Sequence, residues 1–213
     1  MSQTARFRNL ERRLKQLRKN LLPAQFSPTG NYTDRVQDHA RGYRLLAHAE
    51  IEVYLEDMAR DIIAGHVSKW KTASCASHTL LSFIACYHLG WIEYDAETEQ
   101  HLIDLARNRW KPKETVSEII DLAQTQFGKK LSENHGVREK NLKTLMLPTG
   151  VDLTALDPTW ITHLDDFGKK RGDVAHQSPR PTDTIDPQEE LKRVDILMVG
   201  MKDLDEKLGE VAV

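Results

Sequence analysis

The chain is short of most features that assign a protein at sight. Its 213 residues include two cysteines, Cys75 and Cys86, too few for a disulfide framework, so the expected compartment is the reducing cytoplasm. No apolar run approaches a membrane span, and the opening MSQTARFRNLERRLKQLRKN has neither the apolar centre nor the cleavage site of a secretory signal. An excess of one charge is missing too: Lys plus Arg number 30 and Asp plus Glu 32, for a net charge of −2. Any attraction for a polyanion must therefore be local. There is no Gly-rich phosphate loop, no repeat of solenoid period and no low-complexity segment. These absences leave one soluble domain, 39% hydrophobic and long enough for a single core. The scattered Trp70, Trp91, Trp110 and Trp160 read as core or interface anchors.

What is present is helical periodicity along almost the whole length, without strand alternation, and the expectation is an all-α bundle. Phe7, Leu10, Leu14, Leu17 and Leu21 form a narrow apolar seam near the N-terminus, and Val194, Leu197, Met201, Leu204 and Leu208 form another near the C-terminus. Both seams require partners along their length. Residues 1–30 read as a basic amphipathic helix and linker, broken by Pro23, Pro28 and Gly30, ahead of a helical domain over 31–213. A long helix is predicted from about Thr33 to Ile63, with Gly65 as its stop. Further helices are predicted around 74–89, 96–109, 115–127, 136–147, 158–175 and 187–208. Thr115 with Glu118 has capping-box spacing, while Asp157-Pro158 and Asp186-Pro187 each place a capping acid before a proline.

Charge is unevenly placed. Arg6, Arg8, Arg12, Arg13, Lys15, Arg18 and Lys19 face only Glu11 within residues 6–19, whereas the last thirty residues are rich in acids. The plain reading is a pair of solvated faces of complementary sign, and the alternative is an arm in which Arg12 and Arg13 contact RNA. In the long helix Arg44, His48, Glu52 and Glu56 recur every four residues, beside the apolar stripe Ala47, Ile51, Leu55, Met58 and Ile62. That row is either an exposed ladder of ion pairs or the wall of a site. His66, Cys75, His78, Cys86 and His88 lie close in sequence, but no Cys-x2-Cys pair is present and the cysteines fall in the apolar run CASHTLLSFIAC. Buried free thiols explain them better than a metal site does, and no metal or cofactor is expected.

The stretch KKRGDVAHQSPRP, residues 169–181, ends an amphipathic segment just before prolines that must stop a helix. On an ideal helix Arg171 and His176 lie roughly 140° apart in rotation, so they do not stack and would flank a groove instead. The ordinary alternative makes His176 a helix-terminal residue bonded to free carbonyls and Arg171 an ion-pair partner of Asp166 or Asp173.

The helix RGYRLLAHAEIEVYLEDMARDII, the later GVREKNLKTLMLPTGVD, and WITHLDDFGKKRGDVAH together resemble the HEPN superfamily of small helical ribonuclease and nucleotide-binding domains, and most closely its RiboL-PSP branch. The likeness spans roughly residues 35–205. It rests on the signature of an arginine, a polar residue, a few spacers and a histidine, here Arg171, Gly172 and His176. Gly172 stands where Asn, Asp or His is commoner, and Asp173 follows one place later. The resemblance implies a HEPN-like bundle of long antiparallel helices with an extra N-terminal helix, and a homodimer whose two signatures face one cleft.

For RNA, such residues suit cleavage without metal. A 2′-hydroxyl attacks the adjacent phosphate, which requires proton transfer and a cation for charge growing on the phosphoryl oxygens. His176 titrates in the right range and Arg171 offers a fixed fork for phosphate. Lys169, Lys170 and Arg180 would hold neighbouring phosphates, and Asp173, Arg44, His48 and Glu52 are candidates for the site wall. The resemblance alone implies a role in toxin–antitoxin or anti-phage defence, with a cognate antitoxin or another defence protein as partner besides RNA. Two rivals stand: a HEPN-like dimer that binds RNA or nucleotides, or scaffolds a protein, without cutting, and a helical interaction protein with no nucleic-acid role.

Overall fold

The structure is a computed structural model, and it describes residues 3–87, 100, 103–104, 107, 112–176 and 184–212. Among these, seven α-helices of eight residues or more and two short 3-10 helices account for the regular structure, with no strand. The helices are α1 (Ala5–Leu21), α2 (Asp34–Ala73), α3 (His78–Tyr87), α4 (Pro112–Ser132), α5 (Glu139–Met146), α6 (Pro158–His176) and α7 (Pro187–Val211).

At 40 residues, α2 is about 60 Å long and forms the spine on which the others pack. It passes through Gly65, contrary to the stop expected there, and ends in a left-handed Ser74 with φ of 52°. Continuation past Gly65 is explained by tertiary docking. His66 and Val67 are buried, and the His66 Nε2–H donates to the Val211 carbonyl at 2.7 Å, which outweighs the roughly 1 kcal/mol cost of a helical glycine.

Both seams find their partners. Phe7, Leu10, Leu14 and Leu17 of α1 join Ala47, Ile51, Leu55 and Met58 of α2 and Val194, Leu197, Met201, Leu204 and Leu208 of α7 in one buried cluster. Arg6 pairs with Asp57 and Asp61, and Arg13 with Glu50, so α1 runs antiparallel to α2. Buried Asp205 of α7 holds the start of α1: it accepts from the Thr4 N–H at 2.8 Å, the Thr4 hydroxyl at 2.6 Å and the Tyr54 hydroxyl at 2.8 Å. Thr4 in turn caps α1 by accepting from the Phe7 N–H. The first turn of α1 has no acid of its own, so Asp205 supplies from another helix the negative charge that an N-terminus favours.

The start signals at Asp157 and Asp186 hold, since these side chains accept from the Thr159 and Gln188 N–H groups at 2.8 Å. The capping box at Thr115 does not: α4 begins three residues earlier, with Pro112 taking the first helical position. Helix α3 starts at His78 rather than 74, where Ser77 accepts from the Leu80 N–H, and α5 starts at Glu139 rather than 136. Of the helix expected over 96–109, residues 100, 103, 104 and 107 are helical and the rest lie outside the described residues, as do Trp91 and Trp110. Cys75 and Cys86 are exposed, contrary to the burial expected of them. Cys75 sits in the turn between α2 and α3, and Cys86 lies in the last turn of α3, beyond the buried Leu80 and Phe83.

Helix α6 approaches α7 unusually closely. Trp160 is buried and donates its indole N–H to the Leu197 carbonyl at 2.9 Å. A Cβ on Gly200 would lie 2.3 Å from the Trp160 ring, so only glycine admits this contact. An ordinary helical Gly→Ala change gains up to about 1 kcal/mol in propensity, but overpacking a core costs about 1–3 kcal/mol. Because the ring is rigid and tethered, the clash wins. Gly200→Ala is therefore expected to lower the thermal midpoint by several degrees, at roughly 2–4 °C per kcal/mol for a chain this size. A raised midpoint would contradict this packing.

Candidate active site

The signature lies on the last turns of α6, which continues as helix through His176. Two neighbours place it. His48 of α2 stacks on Phe167 at a centroid distance of 5.8 Å and an interplanar angle of 27°, and Arg171 follows Phe167 by one helical turn on the same face. Along α7, Trp160 meets Leu197 and Gly200, while Asp166 lies close enough for its charge to act on Arg193, so α6 and α7 are antiparallel. The C-terminal end of α6 and the first turns of α7 thus share one end of the bundle.

At that end Glu190 is 2% exposed and holds Arg44 through two hydrogen bonds of 2.7 Å, to Nε and Nη2. Arg193 approaches the same carboxylate to 3.3 Å without hydrogen-bond geometry, and burial, followed by the Arg44 charge, holds its pKa down. One acid therefore sits between two arginines. His48, 1% exposed, turns Nδ1 toward Glu52 at 3.5 Å, while its Nε2 has no hydrogen-bond partner among the described residues. The polar row of α2 is accordingly not an exposed ladder: Arg44 reaches across to α7, His48 is buried under α6, and Glu56 accepts from the Asn134 amide at 2.8 Å.

Of the other candidate cations, Lys169 and Arg13 are committed to acids. Lys169 binds Asp165 at 2.7 Å and Asp166 at 3.5 Å. Lys169, then Arg138 and the Glu139 N–H, hold the Asp165 carboxyl down at about 2, which ties α6 to the start of α5. The close pass of that loop requires Gly168, where a Cβ would meet the Arg138 side chain at 2.6 Å. Arg13 is held by Glu50 at 2.8 Å, while among the described residues Arg12 bonds to Asn9 on its own helix. Arg171 and Lys170 are half-buried and have no ion-pair partner among the described residues, so Asp166 serves Lys169 rather than Arg171. The side chains of Asp173 and His176 lie outside the described residues, as does Arg180. No group of three or more His, Cys, Asp or Glu that could hold a metal occurs among the described residues. No helix among them is long and apolar enough to cross a membrane.

Sequence reasoning missed Glu190, which is the hub of this end. Removing one member of a buried pair leaves the other charge uncompensated and typically costs about 3–5 kcal/mol, whereas replacing both with apolar groups can be nearly neutral. Glu190→Ala is expected to destabilise by that order in denaturant unfolding, and combining it with Arg44→Met should restore part of the loss. A loss below about 1 kcal/mol would show that the pair does not hold α7 to α2.

A family model described as RiboL-PSP-HEPN matches residues 8–210. No curated protein and no solved structure matches the chain. The matched stretch takes in all seven helices, from within α1 to the end of α7, and with it the helix that carries Arg171 and His176. The all-helical architecture and this match agree, and the chain belongs to the RiboL-PSP-HEPN family.

Proposed function

We propose that the protein is a metal-independent endoribonuclease of HEPN type, a homodimeric toxin or anti-phage effector acting in the cytoplasm and restrained by a cognate antitoxin or another defence protein. The observation that carries this reading is how the cations near the signature are used. Arg44, Arg138 and Lys169 are bound to acids, whereas Arg171, on the signature helix, has no ion-pair partner among the described residues. Its guanidinium is available for a phosphate, which it fits as a two-pronged donor.

In the reaction, His176 takes the proton of a 2′-hydroxyl as the oxygen bonds to the adjacent phosphorus. Arg171 stabilises the charge that grows on the phosphoryl oxygens, and the P–O5′ bond breaks as an acid protonates the leaving 5′-oxygen. One signature supplies one histidine, and arginine does not titrate in the useful range. A two-fold dimer supplies the second, so each chain carries half of a shared site. Gly172 favours a second reading, because a glycine brings no polar side chain beside the arginine: a HEPN-like dimer that binds RNA or nucleotides without cutting.

Cleavage of mixed RNA should persist in EDTA and leave 2′,3′-cyclic phosphate ends, since no water has to be activated by a metal. Activity lost with chelator and regained with Mg²⁺ or Mn²⁺ would sink the mechanism, and binding without cleavage in either buffer would favour the second reading. For the shared site, tandem-purified heterodimers of wild-type and His176→Ala chains should retain far less than half of the wild-type dimer's activity. Half or more would mean that each chain has a complete site.

A further inference from the structure

The seven bases of α1 fall into two sets once the helix is docked. Arg6 and Arg13 face α2 and are neutralised there by Asp57, Asp61 and Glu50. Arg18 lies near Asp195 of α7, where its charge partly offsets the burial that raises the Asp195 pKa. Arg8, Arg12, Lys15 and Lys19 have neither neighbour. At 100° per residue they fall within about 60° of arc, directly away from the buried seam, and they span roughly 16 Å along the axis. All four are exposed. Their hydrogen bonds among the described residues stay on their own segment: Arg8 donates to the Gln3 carbonyl and Arg12 to Asn9 at 2.9 Å. Glu11 is the one acid beside them, and it forms no ion pair among the described residues.

We propose that this outer face of α1 is a track for the sugar-phosphate backbone of RNA. Four like charges on one helical face repel one another, and an isolated helix gains nothing from them. A row of phosphates supplies the missing counter-charge and, in binding, releases the counterions that both partners hold. Single-residue acids would not fit as well, because the strip is long, narrow and regular. The committed inner bases are structural, so Arg13 is replaced by Arg8, Lys15 and Lys19 among the RNA contacts.

The track also has a direction. Since α1 runs antiparallel to α2 with Arg13 at Glu50, its Lys19 end lies level with the part of α2 that carries Arg44. Arg44 binds Glu190 at the end of the bundle where α6 presents Arg171. Both α1 and α6 pack on the α2–α7 pair, so the strip leads a strand toward the signature end rather than away from it. That RNA is the polyanion rests on the ribonuclease reading, whereas the strip itself rests on charge and geometry.

The experiment uses a fluorescent 2′-O-methyl RNA oligonucleotide, which lacks the attacking hydroxyl and so reports binding apart from cleavage. Affinity is measured over a salt series for the wild-type protein and for two variants. One carries Arg8→Gln, Arg12→Gln, Lys15→Gln and Lys19→Gln, and the other carries Arg6→Gln and Arg13→Gln. Each phosphate contact on a single strand contributes about 0.7 to the slope of log K against log salt, so the outer variant should lose nearly 3 from that slope. The inner variant should keep the wild-type slope. An outer variant with wild-type slope and affinity would overturn the proposal, as would polyglutamate competing as well as unlabelled oligonucleotide. If the outer variant loses the slope while wild-type protein cuts no RNA, the track stands and the ribonuclease reading falls.

Discussion

Buried charge must be compensated within the protein, and two carboxylates on α7 impose this requirement on the whole bundle. Glu190 and Asp205 stand fifteen residues apart, both almost fully buried, and neither has its counterpart on its own helix alone. Glu190 is satisfied by Arg44 of α2, and Asp205 by Tyr54 of α2 and Thr4 ahead of α1. Satisfying both at once leaves α7 one register against α2. The apolar seams between them supply most of the burial energy, but they would tolerate a slip by a turn far better than the two carboxylates would.

The position of α6 follows from that register. Gly200 admits Trp160, at the start of α6, against α7, and His48 receives Phe167, at its middle, on α2, so α6 is held from two sides ahead of the turns that carry the signature. Electrostatic use then separates the cations. Those that hold helices together are paired, as with Arg6, Arg13, Arg44 and Arg138, while Arg171 and the outer strip of α1 have no ion-pair partner among the described residues. The positive charge of this near-neutral protein is thus not averaged over its surface, which is what the proposed RNA contact requires.

Much of this was legible in the sequence because it depends on local spacing. The seams, the stripe from Ala47 to Ile62, the caps at Asp157 and Asp186, the all-α class and the signature itself are all statements about neighbours along one helix. What was not legible joins residues far apart in sequence: Arg44 with Glu190, Thr4 with Asp205, and Trp160 with Gly200. A signal for two of these did exist. Glu190 lies four residues before Val194 and Asp205 four after Met201, so both acids continue the apolar seam and should have been read as buried and partnered. Gly65 and the cysteines went the other way: docking of His66 and Val67 overrode the local preference for a stop, and the apolar run around the cysteines is interrupted by a turn at Cys75 and ends with α3 just after Cys86.

Whether Arg171 serves substrate and not the fold is tested by RNA cleavage and thermal unfolding measured side by side on Arg171→Ala and Arg44→Ala. Arg171→Ala should melt within a degree or so of wild type yet lose nearly all cleavage, while Arg44→Ala should melt markedly lower because it strands Glu190. An Arg171→Ala protein that cuts RNA at the wild-type rate, or that loses stability as Arg44→Ala does, would contradict that role for Arg171.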